Sequence, residues 1–209
     1  LQLDLDEPAS IERTVAGGLE LTGGRLDALF NNGAYGQPGA VEDLPREALR
    51  AQFETNLFGW HDLTNRVIPV MRAQGHGRIV QNSSVLGLVT LKWRGAYNAT
   101  KFALEGLTDT LRLELAGSGI HVSLIEPGPI ESRFRANGYA AYKRWIDPAA
   151  SVHRDHYART EARLQKAGHA APFTLGPEAV ARRLVHALEH PRPRARYAVT
   201  FPTYLFAVL

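Results

Sequence analysis

Short apolar runs alternate with longer stretches of helical period along most of this chain, and that alternation constrains its fold more than any other feature. Such a pattern predicts a parallel sheet with helices on both faces, the doubly wound α/β class. Leu1–Leu5 reads as a strand already under way, and Pro8 to Leu21 as a helix with Ile11, Val15 and Leu19 on one side. Further strands are expected at Asp27–Asn31, Arg78–Asn82, Ile120–Ile125 and Arg196–Thr200. Further helices are expected at Pro45–Ala73, with Pro69 as a kink or junction, at Ala96–Leu115 and at Pro177–His190. Between Ile130 and Leu175 the periodicity fades, so residues 130–176 are read as a substrate-binding loop region. No linker, repeat or low-complexity tract interrupts the 209 residues, and one domain is expected.

Composition removes several function classes. There is no cysteine, which excludes disulfides, thiolate zinc sites and cysteine nucleophiles, and fits a cytoplasmic protein. The formal charge is only +3. Arg182, Arg183, Arg192, Arg194 and Arg196 cluster near the C-terminus but lack interleaved aromatics, so they read as a solvated face and no nucleic-acid partner is expected. No apolar run reaches the ~18 residues of a membrane span. The apolar Tyr197–Leu209 tail reads as a strand followed by an interface or membrane-surface segment, with no further membrane contact expected. His153 and His156 stand three apart without a carboxylate–histidine framework, so no metal is expected.

In an open α/β sheet, ligands bind beyond the carboxyl ends of the strands. Asn31-Asn32, Ser83-Ser84 and Pro127-Gly128 stand at three such ends. Tyr97 and Lys101 lie four apart on a predicted helix and so share a face. An ammonium beside a phenol favours the phenolate, which makes the pair a candidate general acid/base. Ser84 precedes Tyr97 by 13 residues and can donate a hydrogen bond to a substrate oxygen as charge develops there. Alone the pair is weak, since composition places a lysine four residues after about one tyrosine in twenty.

The pair stands within longer runs. Gly77 to Ser84 (Gly-Arg-Ile-Val-Gln-Asn-Ser-Ser) and Tyr97 to Leu107 closely resemble the short-chain dehydrogenase/reductase family. Asn56, 28 positions before Ser84, matches the family's fourth catalytic residue. Asn31-Asn32-Gly33-Ala34 resembles its Asn-Asn-Ala-Gly turn with the last two residues inverted, and Pro127 to Ser132 resembles its Pro-Gly segment. Tyr97 to Leu107 and Gly119 to Gly128 look most like the branch holding hydroxysteroid and retinol dehydrogenases and bacterial NADP-dependent aldehyde reductases. The resemblance implies a Rossmann-type sheet and an NAD(P)-dependent oxidoreductase that interconverts an alcohol and an aldehyde or ketone.

It also implies roles. Tyr97 is the acid/base, Lys101 lowers its pKa and binds the nicotinamide ribose, Ser84 polarises the carbonyl, and Asn56 holds a relay water. Cofactor contacts fall to Asp4, Leu5, Asn32, Gly33, Tyr97, Lys101, Pro127, Gly128, Ile130 and Ser132, with NADP or NAD as the cofactor. Aromatic residues from Phe134 to Phe173, with Leu91 and Trp93, point to a lipophilic substrate or to lid packing in equal measure. A homodimer or homotetramer through Pro45–Ala73 and Ala96–Leu115 is expected. The family's glycine-rich pyrophosphate loop is absent from the sequence, which begins where the third strand would lie, so an N-terminally truncated sheet is expected. The alternatives are a non-catalytic nucleotide-binding scaffold and a sugar-nucleotide epimerase or dehydratase.

Overall fold

The computed structural model describes residues 1–165, 168 and 171–207. Lys166, Ala167, His169 and Ala170, inside the expected loop region, and Val208 and Leu209, in the apolar tail, lie outside the described residues. Four parallel strands form one sheet in the order β1 (Ala28–Asn31), β2 (Gly77–Asn82), β3 (Ile120–Glu126) and β4 (Arg196–Ala198). The register sets Leu29, Ile79 and Val122 side by side, with Phe30 beside Val80 on the opposite face. This is the parallel α/β architecture the strand–helix alternation predicts, of the Rossmann type the resemblance implies.

Each face buries its own apolar set, because strand side chains alternate. Ile79, Ile120 and Val122 pack against Ile11 of α1 (Pro8–Leu21), Leu63, Val67 and Met71 of α3 (Gly59–Gln74), and Leu115 at the end of α4 (Gly95–Glu114). Val80 and Ile125 pack the other way, against Ala179 and Ala187 of α7 (Glu178–Glu189). Helices α2 (Arg46–Phe53) and α3 run on through a π-helical turn at Glu54–Phe58, and Pro69 sits inside α3 without ending it. The expected Pro45–Ala73 helix is thus a single path with one widened turn.

Two expectations are corrected. Leu1–Leu5 is no strand. A strand needs a ladder partner for its backbone groups, and β1 pairs only with β2. The segment instead anchors on α1: the Asp4 amide donates to Ser10 Oγ at 3.0 Å, and the Gln2 carbonyl accepts from Thr14 Oγ1 at 2.9 Å. Nor is residues 130–176 a plain loop. It contains α5 (Phe134–Trp145) and α6 (Arg154–Gln165), which bury Tyr142, Tyr157 and Leu164 against Ala40 and Trp93. After β4 the apolar tail forms a short helix, α8 (Phe201–Phe206).

Candidate active site

The three polar clusters meet at the carboxyl ends of β1, β2 and β3. Backbone bonds bring the last two together: the Val85 amide donates to the Pro127 carbonyl at 2.8 Å, and the Ser83 amide to the Ile125 carbonyl at 2.7 Å. Ser84 has extended backbone, and its Oγ accepts from the Leu86 amide at 3.1 Å while lying 3.5 Å from the Pro127 carbonyl. The Asn31 side chain is buried between Thr64 and Gln81, at 3.0 and 2.9 Å, which holds the turn after β1.

Helix α4 delivers Tyr97 and Lys101, both buried. Lys101 is 1% exposed, and its Nζ donates to the Asn82 carbonyl at 2.8 Å. The same ammonium lies 4.4 Å from the centre of the Trp60 ring and 5.6 Å from that of Tyr97, in cation–π range. Trp60 also donates its indole N–H to the Gly33 carbonyl at 2.8 Å, so one side chain ties the β1 turn to the lysine. Tyr97 stands edge-on to Phe134, ring centres 5.2 Å apart, at the start of α5.

Burial dominates the titration of both groups. It pushes the Tyr97 phenol up to about 12, and the Ser84 hydroxyl opposes that shift. It pushes the Lys101 ammonium down to about 7, and Glu105 opposes that one. Desolvation therefore sets the Tyr97 phenol above its ordinary value in this arrangement, opposite to the lowering expected from Lys101.

Asn56 sits in the π-helical turn, fully buried. Its amide donates to the Tyr35 carbonyl at 2.8 Å and to Thr100 Oγ1 at 3.3 Å, and its Oδ1 accepts from the Tyr35 amide at 3.1 Å. It thus braces the loop after β1 against Thr100 of α4. Widened turns of this kind are frequent at functional sites, because they redirect one side chain out of helical register.

The remaining cofactor candidates divide. Asn32 accepts from the Asn82 amide group at 2.6 Å. Gly33 has no left-handed backbone; its value lies in space, since a Cβ there would meet the Leu5 side chain at 3.2 Å. A Cβ at Gly128 would come within 2.1 Å of Thr200 Oγ1, so only glycine lets α8 approach. Ile130 bridges to Leu175 and packs with the α7 cluster, while Ser132 caps the Phe134 amide at 3.3 Å. Asp4 is exposed, and its carboxylate turns back to the Asp6 amide.

Sequence reasoning missed Trp60, Asn82 and Glu105 as partners of this centre. Two of them carried a signal: Trp60 follows Asn56 by four residues, and Glu105 follows Lys101 by four. His153 and His156 pack against Trp93, with ring centres 4.8 and 3.8 Å away, and no metal-binding cluster occurs among the described residues. Arg196 is no solvated residue: it joins Glu105, Asp109 and Glu126.

The donor set at the β2 end suits a nicotinamide ribose. Lys101 has N–H groups to spare beyond Asn82, and the neighbouring Asn82 Oδ1 is a buried acceptor without a partner.

Comparison with known proteins places the chain in a family. Residues 1–143 match the short chain dehydrogenase family model. An uncharacterized oxidoreductase of Escherichia coli strain K12, YbbO, is 42% identical over 207 residues, covering 99% of this chain and 71% of that protein. Human 17-beta-hydroxysteroid dehydrogenase type 1 is 33% identical over 202 residues, covering 96% of this chain and 60% of that protein. A short-chain dehydrogenase structure from Streptomyces avermitilis superimposes with a TM-score of 0.78 at 28% identity, covering all of this chain and 72% of that one. The chain belongs to the short-chain dehydrogenase family, a class of NAD(P)-dependent oxidoreductases.

Proposed function

We propose that this chain carries the catalytic centre of an enzyme that interconverts an alcohol and an aldehyde or ketone using NADP or NAD. The observation that carries the reading is the joint burial of Ser84, Tyr97 and Lys101 at the carboxyl end of β2, with Asn56 bracing the helix that bears two of them.

The bound cofactor supplies or accepts the hydride. Lys101, Asn82 and Asn32 would hold its nicotinamide ribose, with Pro127, Gly128, Ile130 and Ser132 along the nicotinamide and Gly33, Leu5 and Asp4 toward the adenosine. In carbonyl reduction, Tyr97 Oη gives its proton to the substrate oxygen. Ser84 Oγ donates a hydrogen bond to that oxygen and so stabilises the charge that develops there. The Lys101 ammonium, held over Trp60, stabilises the phenolate left behind and relays a proton from solvent that restores the phenol. Asn56 keeps the Tyr35 loop and α4 in place during the exchange.

The substrate is read as lipophilic. Val41, Leu91, Trp93 and Phe102 line an open cleft of about 480 Å³ beside the N-terminus of α4, and Phe134 covers the Tyr97 ring. Tyr142 and Tyr157 pack the α5–α6 region onto Ala40 and Trp93, so the aromatic stretch is read as serving both expected uses. Residues 130–176 are read as the substrate-binding region of a single domain. Self-association through α3 and α4 and a location in the cytoplasm complete the reading.

The test is NADPH and NADH oxidation by the full-length protein with aliphatic aldehydes, retinal and ketosteroids. Tyr97→Phe should lower kcat by ~10²–10⁴-fold with cofactor binding retained. Near-normal turnover in that variant sinks the assignment.

A further inference from the structure

Helix α4 places Tyr97, Lys101, Glu105 and Asp109 four residues apart, so all four lie along one face. Beyond the two residues assigned to chemistry, that stripe turns acidic. Glu105 is buried, and its carboxylate pairs with Arg196 of β4. The same guanidinium pairs with Glu126 of β3, which is 2% exposed, and with Asp109 at 2.6 Å. Asp109 also binds Arg112 at 3.0 Å, nearer the surface. Three carboxylates therefore face two guanidinium groups, and the stripe is one positive charge short. The Lys101 ammonium, one turn from Glu105, is the cation that balances it.

We propose that Glu105 is a positioning residue for the proposed reaction: its carboxylate, only partly neutralised by Arg196, holds the buried Lys101 side chain in its ammonium form. The inference rests on the catalytic reading of Tyr97 and Lys101 given above. Around Lys101, α4 contributes Tyr97 and Glu105, α3 contributes the uncharged Trp60, and β2 contributes the Asn82 carbonyl. Around Glu105 stand Ser83 at the β2 end, Arg196 of β4, and Asp109 on α4. Glu126 of β3 joins through the shared Arg196. Burial alone drives Lys101 toward neutrality, and Glu105 is the group that works against it. Burial likewise pushes Glu105 and Glu126 up, with Arg196 pulling both down. A neutral lysine could not stabilise a Tyr97 phenolate, so the charge on Glu105 reaches the reacting oxygen through Lys101.

The opposing view is that Glu105 merely pins α4 to the sheet. Glu105→Gln in the full-length protein separates the two, because it keeps the shape and removes the charge. Lysine labelled with ¹³C at Cε is titrated by NMR, and Lys101→Met identifies the Lys101 signal. In Glu105→Gln the Lys101 midpoint should fall by about one pH unit, and the alkaline limb of kcat/KM for carbonyl reduction should move down with it. Asp109→Asn, one turn further along, should move the midpoint by less than half as much. A Lys101 midpoint equal to wild type in a variant with native melting overturns the proposal. Should Glu105→Gln not fold, Glu105→Asp retracts the charge without removing it, and it must lower the midpoint for the proposal to stand. A midpoint that falls while Tyr97→Phe keeps full turnover supports the electrostatic hold and overturns the catalytic role built on it.

Discussion

At the scale of single residues, the site trades hydration for preorganisation. Lys101 and Tyr97 are both buried, and their titrations are displaced in opposite directions with opposite effects on stability. From about pH 7 to the ordinary lysine value of 10.5, the unfolded chain keeps a proton that folded Lys101 has released, so stability rises with pH in that window. Above the ordinary tyrosine value of 10.0 the unfolded chain loses the Tyr97 proton first, and stability falls until about pH 12. Urea midpoints measured across this range should therefore rise and then fall, and the rise should shrink in Lys101→Met. A flat profile in both proteins would contradict the burial of the lysine. The residue types and spacings of Asn56, Ser84, Tyr97 and Lys101 were legible in the sequence because the family motif prescribes them. Their partners were not: Trp60 and Asn82 reach Lys101 across different elements, and no local pattern announces such a meeting.

At the scale of elements, the helix periods and the four strands of the sheet were readable, and the misreadings have physical causes. Leu1–Leu5 alternates like a strand but has no neighbour to pair with. Arg154–Gln165 hides its helix because Tyr157 and Leu164, its large buried residues, stand two full turns apart amid polar side chains. That helix is fastened from a distance, through the Tyr157 hydroxyl, which donates to Asp43 at 2.6 Å and accepts from the Ala40 amide at 2.9 Å. Tyr157→Phe should loosen α6 and leave the sheet intact, seen as faster amide exchange in residues 154–165 with unchanged exchange in β2. The π-helical turn was equally invisible, since it depends on where Asn56 must point. Asn56→Ala leaves the Tyr35 amide without its partner and the Tyr35 carbonyl with Gln52 alone, and should cost ~1–3 kcal/mol in denaturant unfolding. If the loss is negligible, the turn does not depend on that side chain.

At the scale of the whole molecule, two apolar layers enclose one sheet, yet several large apolar side chains remain uncovered. Leu107 and Leu113 of α4 and Phe58 in the π-helical turn are exposed. Burying such side chains contributes roughly 1.5–3 kcal/mol each, enough to support the self-association proposed above. Leu107→Glu should shift the protein toward monomer in sedimentation at unchanged melting temperature; an unaltered assembly would place the interface elsewhere.

One element bears on all of these scales. Because α4 sets Tyr97, Lys101, Glu105 and Asp109 on a single line, a residue inserted between 101 and 105 would turn the far half by about 100°. The phenol and ammonium would stay in place while the acids swung away from Arg196. Substitutions along this helix can be graded in their effects, but changes of length cannot. Natural variants should therefore gain and lose residues in the connecting turns and keep the length of this span constant.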